Sequence, residues 1–177
     1  MEFQELVRNR GMVRAFRPDP VPEELVQKLL GNAVRAPSAG NLQPWEFIIV
    51  RDEERKRRLA KAALGQMFLA KAPVVIATCR DVERNAWHYG DRGRHFYSLL
   101  DVSCATMMIL LTASNEGLGA CWVGAYHDEE VSRILGLPEH VRPVALVSVG
   151  WPAEKPSPTE RIPLAEVLHY ERFGQRR

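Results

Sequence analysis

Hydrophobic and polar positions repeat with a helical period in several parts of this chain. Between Pro22 and Ala33 apolar residues recur every three to four positions, after a proline and two acidic residues typical of a helix start. A charged helix is predicted from about Asp52 to Leu64, and a short one from Asp128 to Leu135, closed by Gly136. The segment from about Ser98 to Glu116 is apolar on almost all sides, which predicts the central buried helix.

Short apolar runs predict the strands. The runs 73–79 and 144–149 are rich in β-branched residues, as expected for strands buried on both faces. Two further strands are predicted at 47–50 and at about 120–125, the latter after Gly117 and Gly119 end the central helix. Helices and strands therefore alternate, but not as regular strand–helix–strand repeats. The proline-rich segment from Trp151 onward is expected to run extended across a surface, which could be that of a partner subunit.

Length and charge are those of an ordinary globular protein. A chain of 177 residues predicts one domain, 1–177. Its 24 basic and 22 acidic residues give a net charge of +2, so no general attraction to nucleic acid is implied. The dense basic run 55–58 follows three acidic residues, which favours the solvated face of a helix over a nucleic-acid patch.

Cysteine usage and hydropathy bear on the compartment. Cys79, Cys104 and Cys121 are odd in number and widely spaced in apolar sequence, which favours reduced thiols. The N-terminus has no signal-like segment, and the apolar run 105–113 is far shorter than the roughly 18 residues of a membrane span. We therefore expect a cytoplasmic protein.

A cluster of polar side chains directly precedes the first predicted strand. Pro37 and Pro44 stiffen the two ends of this loop, while Ser38, Asn41 and Gln43 offer donors and acceptors to a planar ligand rich in hydrogen-bonding groups. A plain loop that enters a strand would have a similar composition. The segment therefore predicts a binding pocket only when a second element supports it.

Two arginines near the N-terminus supply that second element. Arg10 and Arg14 are four positions apart, which is one helical turn, so both guanidinium groups could converge on one anion such as a terminal phosphate. The alternative is a solvated basic face that also includes Arg8 and Arg17.

Together with a third segment, these residues resemble the FMN-dependent nitroreductase family. The segments are Arg-x-x-x-Arg-x-Phe from Arg10, Pro-Ser-Ala-Gly-Asn-x-Gln-Pro-Trp from Pro37, and Gly-Leu-Gly-Ala-Cys-Trp-Val-Gly-Ala-Tyr from Gly117. They occur in the family's order, and the resemblance extends from about Glu5 to Leu168. It implies an α+β fold with a nitroreductase-like central mixed sheet flanked by helices. It also implies FMN as cofactor, NADH or NADPH as electron donor, and an obligate homodimer with the flavin at the subunit interface.

The resemblance also implies which residues bind FMN. Arg10 and Arg14 would contact the phosphate and the ring edge, with Arg161 reaching the phosphate from near the C-terminus. A cation near the polar edge of the ring would also stabilise the reduced flavin. The full implied set is Arg10, Gly11, Met12, Arg14, Pro37, Ser38, Ala39, Asn41, Gln43, Gln66, Val123, Gly124 and Arg161.

Within this set the individual roles differ. The loop from Pro37 to Gln43 would serve a flavin held mainly by the other subunit, Gln66 would face the pyrimidine edge, and the amides of Val123 and Gly124 would lie at flavin N5. Met12 stands where the family often has serine, and a thioether cannot donate a hydrogen bond to phosphate.

The span from Trp87 to Tyr97 concentrates aromatic residues, both signs of charge and two glycines. We predict that it forms a lid on the substrate side, made by Trp87, Tyr89, Phe96 and Tyr97. A metal site of His88, Asp91 and His95 would need a continuous helix, which Gly90 and Gly93 disfavour. A purely structural surface turn is the other alternative.

Other catalytic motifs do not fit the sequence. Around Gly117 and Gly119 a dinucleotide fingerprint would need a glycine where Trp122 stands, and a strand before the loop instead of a helix. Neither a Gly-x-Ser-x-Gly nor a His-Glu-x-x-His motif occurs, so hydrolysis has no recognisable residues.

The resemblance therefore implies an oxidoreductase that passes hydride from NADH or NADPH through flavin N5 to a small planar acceptor, such as a nitroaromatic or a quinone, in ping-pong turnover. Two alternatives remain open from the sequence. One is a relative that oxidises or fragments the flavin or dehalogenates an aromatic compound. The other is a ligand-binding module of the same fold without catalysis.

Overall fold

A four-stranded sheet lies at the centre of the computed structural model, which describes residues 2–156 and 159–176. The strands are β1 (Trp45–Val50), β2 (Val74–Asp81), β3 (Gly119–Val123) and β4 (Val141–Gly150). They lie side by side in the order β1-β2-β4-β3, so that β1 and β3 form the two edges. The sequence predicts all four strands, and their observed ends differ from the predicted ends by a few residues.

All neighbouring strands pair in the antiparallel direction. Parallel pairing occurs in the described residues only as an isolated bridge between Met12 and Ala120, at the edge formed by β3. The α+β fold class is confirmed. The mixed character implied by the resemblance is confined to this single bridge, because the segment that lies parallel to β3 is too short to form a strand.

Eight α-helices accompany the sheet in the described residues. They are α1 (Phe3–Asn9), α2 (Glu23–Ala33), α3 (Glu53–Ala62), α4 (Phe68–Lys71), α5 (Val82–Arg92), α6 (Ser98–Asn115), α7 (Asp128–Leu135) and α8 (Leu164–Val167). The sequence predicts α2, α3, α6 and α7. The cap of α3 shows why it begins where predicted, since the Asp52 carboxylate accepts the Arg55 N–H at 2.8 Å. Gly136 ends α7 in the left-handed conformation, with φ of 67°.

The helices cover both faces of the sheet, and the alternation along β2 shows why. Val74 and Ile76 point to one face and join a core with residues of α2 and α6, whereas Val75 and Ala77 point to the other and join residues of α3 and α7. Every residue of β2 from Val74 to Cys79 is therefore buried. This explains why the strand is a nearly continuous apolar run in the sequence.

One helical stretch, Val82–Asn115, is long and apolar enough by length and composition to cross a membrane. Half of its most apolar window is buried inside the molecule. Its second part, α6, buries nine residues in the core, as the sequence predicts for the central helix.

Candidate functional site

The predicted binding residues form two groups at opposite edges of the sheet. One group lies along β3 and is called the arginine half: Arg10, Gly11, Met12, Arg14, Gln66, Val123 and Gly124. The other leads into β1 and is called the loop half: Pro37, Ser38, Ala39, Asn41 and Gln43. Because β2 and β4 lie between the two edges, the edges are about 14 Å apart at the usual strand spacing. A single chain therefore does not bring the two halves together.

The arginine half begins with an extended segment, which corrects the prediction that Arg10 and Arg14 share a helical turn. Helix α1 ends at Asn9, and Arg10 is already extended with φ of −62° and ψ of 116°. The chain finds backbone partners instead, since the Val13 N–H donates to the Ala120 carbonyl at 3.0 Å and the Arg17 N–H to the Trp151 carbonyl at 2.8 Å. In an extended segment, positions four apart share a face but lie about 13 Å apart.

Two residues between these arginines are closely packed. A Cβ atom on Gly11 would lie 2.3 Å from the Cβ of Pro156, so only glycine fits beneath the chain that follows β4. The Met12 sulfur accepts the Trp122 N–H at 3.4 Å and so points to the backbone of β3. The sulfur of Met12 therefore stabilises the docking of this segment.

Arg14 is held through its backbone, while its side chain stays available. The N–H groups of Arg14 and Ala15 both donate to Oε1 of Glu154, at 3.0 and 3.1 Å. The guanidinium group lies 5.7 Å from the centroid of the Phe68 ring. Within residues 2–156 and 159–176, neither Arg10 nor Arg14 forms an ion pair, so the half presents two guanidinium groups without a carboxylate.

Gln66 completes the arginine half. Its Nε2 donates to the carbonyls of Ala63 and Ala125, at 3.0 and 3.2 Å. These bonds tie it to the turn after β3, where Val123 is buried and Gly124 is exposed. The structure thus ties Gln66 to Ala125, the residue that follows Gly124, and the two donor bonds leave the amide oxygen of Gln66 as an acceptor.

The loop half is a strained turn. Gly40, Asn41 and Gln43 all have positive φ, between 52° and 57°, and each non-glycine residue in this region costs of order 1 kcal/mol. The Ser38 hydroxyl accepts the Gln43 N–H at 3.1 Å, and the Gln43 amide donates to the Asn41 carbonyl at 3.1 Å. Ser38 therefore shapes the loop, whereas the side chains of Asn41 and Gln43 remain exposed.

A buried carboxylate fixes this loop from beneath. Asp101 is 6% exposed; its Oδ1 accepts the Ala39 N–H at 3.0 Å and its Oδ2 accepts Nδ2 of Asn85 at 2.7 Å. Arg84 adds a bond from Nη1 to the Gln43 carbonyl at 2.7 Å. The sequence interpretation missed Asp101 and Asn85. The available signal was that Asp101 is the only charged residue in the apolar segment Ser98–Asn115.

The predicted lid meets the loop half at Tyr89. A Cβ atom on Gly40 would lie 2.8 Å from the Tyr89 hydroxyl, so Tyr89 packs directly on the loop. The rings of Tyr89 and Tyr97 meet edge to face at 5.1 Å, and Phe96 follows at 5.8 Å from Tyr97. Trp87 is 83% exposed. Tyr89 and Tyr97 thus lie next to the loop with Phe96 beside Tyr97, whereas the ring contact of Trp87 is with His88.

The lid backbone is helical but interrupted. Gly90, with φ of 56° and ψ of −142°, breaks α5, and the turn Gly93–Tyr97 has π-helical bonding before α6 begins. The two glycines are therefore where the helix departs from regular geometry, as the sequence suggests. No three His, Cys, Asp or Glu side chains among the described residues come close enough to share a metal ion.

Arg161 is the one predicted FMN-binding residue that joins neither half. It is exposed, and it donates to the carbonyls of Thr159 and Glu160 at 3.1 and 3.0 Å, as well as to the Thr159 hydroxyl. The described residues show no bond from Arg161 to the arginine half.

The two buried thiols, Cys79 on β2 and Cys121 on β3, are poor nucleophiles. Burial raises the pKa of Cys79 to about 12. Burial also raises the pKa of Cys121, against the opposing charge of Arg14. Both thiols are therefore protonated at neutral pH, and the chemistry of this site does not depend on a thiolate.

The chain is also similar in sequence to a family model and to named proteins. The family model described as Nitroreductase family matches residues 7–73 and 63–151. A protein named NADH dehydrogenase from Thermus thermophilus is 36% identical, over 90% of this chain and 91% of its own. A protein named FMN reductase (NADPH) from Bacillus subtilis is 28% identical, over 96% of this chain and 74% of its own.

A solved structure has the same fold. It is described as a nitroreductase family protein from Streptococcus pneumoniae and superposes with a TM-score of 0.87 at 26% sequence identity. The match covers 96% of this chain and 100% of that chain.

Proposed function

This chain belongs to the nitroreductase family, and we propose that it transfers hydride from NADH or NADPH to a small planar acceptor, such as a nitroaromatic or a quinone, in ping-pong turnover. Its relatives show the broader class, an oxidoreductase that uses FMN and NAD(P)H. Bound FMN would supply a ring that takes up hydride from the nicotinamide and returns electrons to the acceptor. The residues of the chain provide binding, orientation and charge.

The side chains of the two halves fit FMN. The arginine half offers two guanidinium groups with no ion-pair partner among the described residues, and they are suited to a phosphate because each presents paired donors. The amide oxygen of Gln66 and the exposed backbone at Gly124 suit the polar edge and reacting atom of a flavin ring. The loop half adds the exposed amides of Asn41 and Gln43.

The separation of the two halves carries the proposal. Each half has free polar groups, yet β2 and β4 lie between them. In a two-fold dimer, the loop half of one protomer can meet the arginine half of its partner, which gives two equivalent sites. We propose that the chain works as such a homodimer, with the flavin between subunits.

Exposed apolar surface supports this assembly. On α6, Leu99, Leu100 and Met107 are exposed, although the helix is otherwise the core helix. The C-terminal segment presents a second group of exposed large apolar residues, namely Ile162, Leu164, Val167, Leu168 and Phe173. Such apolar surface is typical of a protein–protein interface. A C-terminal segment lying on the partner would also give Arg161 a route to the phosphate.

The lid would close over the acceptor from the subunit that supplies the loop. Tyr89 packs on Gly40, so the lid moves with the loop half when that half meets the partner. Phe96 and Trp87 then offer aromatic surface to a planar acceptor.

We further propose that residues 1–177 form one domain and that the protein works in the cytoplasm. The odd number and wide spacing of the three cysteines support this compartment.

The proposal is tested by the visible spectrum of purified protein reconstituted with FMN, recorded anaerobically before and after NADH or NADPH is added. We expect the flavin bands to bleach with a donor and to return when a nitroaromatic or a quinone follows. Bound flavin that stays oxidised with both donors would contradict the proposal. Release of a benzimidazole fragment after aerobic turnover would instead identify a flavin-fragmenting enzyme.

A further inference from the structure

The lid contains one arginine, Arg92, whose terminal nitrogens have no acceptor among the described residues. Arg92 donates through Nε to the Tyr97 hydroxyl at 2.9 Å. Its guanidinium carbon lies 4.8 Å from the centroid of the Phe96 ring and 5.2 Å from that of Tyr97. In the described part of the chain, neither terminal nitrogen of Arg92 bonds to a carboxylate or a carbonyl. The group is therefore oriented by two rings and still able to bind.

The neighbouring arginines differ from Arg92. Arg94 is paired with Glu83, and Arg84 with Glu46 and Asp81. Arg80 donates to the carbonyls of Arg94 and His95 and to Ser98. These three arginines hold the lid together, whereas Arg92 has only its Nε engaged.

Arg92 connects to the loop half through stacked rings. It contacts Tyr97, whose ring meets Tyr89, and Tyr89 packs on Gly40 between Ser38 and Asn41. Beside it, Phe96 is 46% exposed. An aromatic ligand on this surface would thus have an apolar face for its ring and a guanidinium fork for an acidic substituent.

Resting on the function proposed above, we propose that Arg92 selects planar acceptors that carry a carboxylate. The two free terminal nitrogens donate to the two carboxylate oxygens, and Phe96 contacts the ring. Nε remains bonded to Tyr97, which keeps the fork in place. Arg92 is thus a residue that determines specificity for the acceptor.

The test compares two ligands of nearly equal shape, 4-nitrobenzoate and the neutral 4-nitrobenzamide, on the FMN-loaded protein. Their dissociation constants are measured by calorimetry, and their kcat/KM values with NADH as donor. The variants are Arg92→Gln and Arg92→Lys, with Arg58→Gln as a control, because Arg58 is an exposed arginine on α3. NADH and NADPH are titrated against the same proteins.

We expect Arg92→Gln to weaken 4-nitrobenzoate binding by about tenfold or more, as the loss of a charged hydrogen-bond pair predicts. Binding of the amide should change less than about twofold, Arg92→Lys should fall between, and Arg58→Gln should match the wild type. The proposal would be overturned if Arg92→Gln weakened binding of the acid and of the amide equally, or weakened the binding of neither. A loss confined to NADPH would also overturn it, because Arg92 would then bind the phosphate of the donor. If the protein bound the acid selectively through Arg92 but did not reduce it, the role of Arg92 would be supported and the proposed function would be contradicted.

Discussion

Asp101 holds the loop half from beneath through both of its carboxylate oxygens. Its two carboxylate oxygens bind the Ala39 N–H and the Asn85 amide, and so link the loop and α5 to α6. Asn85 is fully buried, and its Oδ1 has no hydrogen-bond partner among the described residues. This free oxygen suggests how a neutral residue could replace the carboxylate.

Asp101→Asn should preserve the fold, and its dissociation constant for FMN should stay within about threefold of the wild-type value. Its amide oxygen can still accept the Ala39 N–H, and rotation of the Asn85 amide would give its unpartnered oxygen a donor. Asp101→Ala should lower the free energy of unfolding by about 1–3 kcal/mol for each buried donor left unpaired and weaken FMN binding. Urea unfolding and FMN titration measure both effects. The role would be contradicted if Asp101→Ala were as stable as the wild type. It would also be contradicted if Asp101→Asn lost as much stability and FMN affinity as Asp101→Ala.

At the scale of elements, the sequence predicts those segments whose pattern is set by burial. Helix α2 buries one face, and strand β2 is buried on both faces. The apolar positions in their sequences therefore follow directly from which side chains are packed in the core. Helix α5 escapes prediction because Gly90 and Gly93 resemble turn residues, while the α-helix in fact resumes beyond a local break. The segment from Arg10 to Arg14 is mispredicted because its partner, β3, is distant in sequence.

The break at Gly90 gives a prediction about the lid. Its φ of 56° and ψ of −142° belong to a region that only glycine adopts readily. A Cβ atom there would meet nothing within 4 Å, so Gly90→Ala changes the backbone energy alone. We expect a loss of about 1–3 kcal/mol in the free energy of unfolding and a raised KM for the acceptor.

Gly31→Ala is the matched control, because Gly31 lies within α2, also with nothing within 4 Å of an added Cβ. It should stabilise the protein by about 0.5–1 kcal/mol. Denaturant unfolding and steady-state kinetics of both variants check the pair. If Gly90→Ala were as stable as Gly31→Ala with unchanged kinetics, the break would have no role in the lid.

At the scale of the whole molecule, the strand order decides how the site can form. The motifs that contain Arg10 and Asn41 are visible in the sequence. Their spacing does not indicate that they lie at opposite edges of one sheet. Sequence patterns report local burial and turn chemistry, whereas the order of strands depends on contacts between distant segments. Arg161 illustrates the same limit, since its role depends on where the C-terminal segment lies.

The central claim is that each FMN site combines the arginine half of one protomer with the loop half of its partner. The most direct test uses two double variants, Arg10→Ala/Arg14→Ala and Asn41→Gly/Gln43→Gly, with glycine chosen because both loop positions have positive φ. Each variant homodimer should bind FMN weakly. The mixed dimer, isolated through two different tags, should have one doubly damaged site and one intact site.

FMN titration of the mixed dimer should therefore give one FMN per dimer with wild-type affinity. If each site were built within a single chain, both sites of the mixed dimer would carry a lesion, and no wild-type affinity would return. That result would contradict the account.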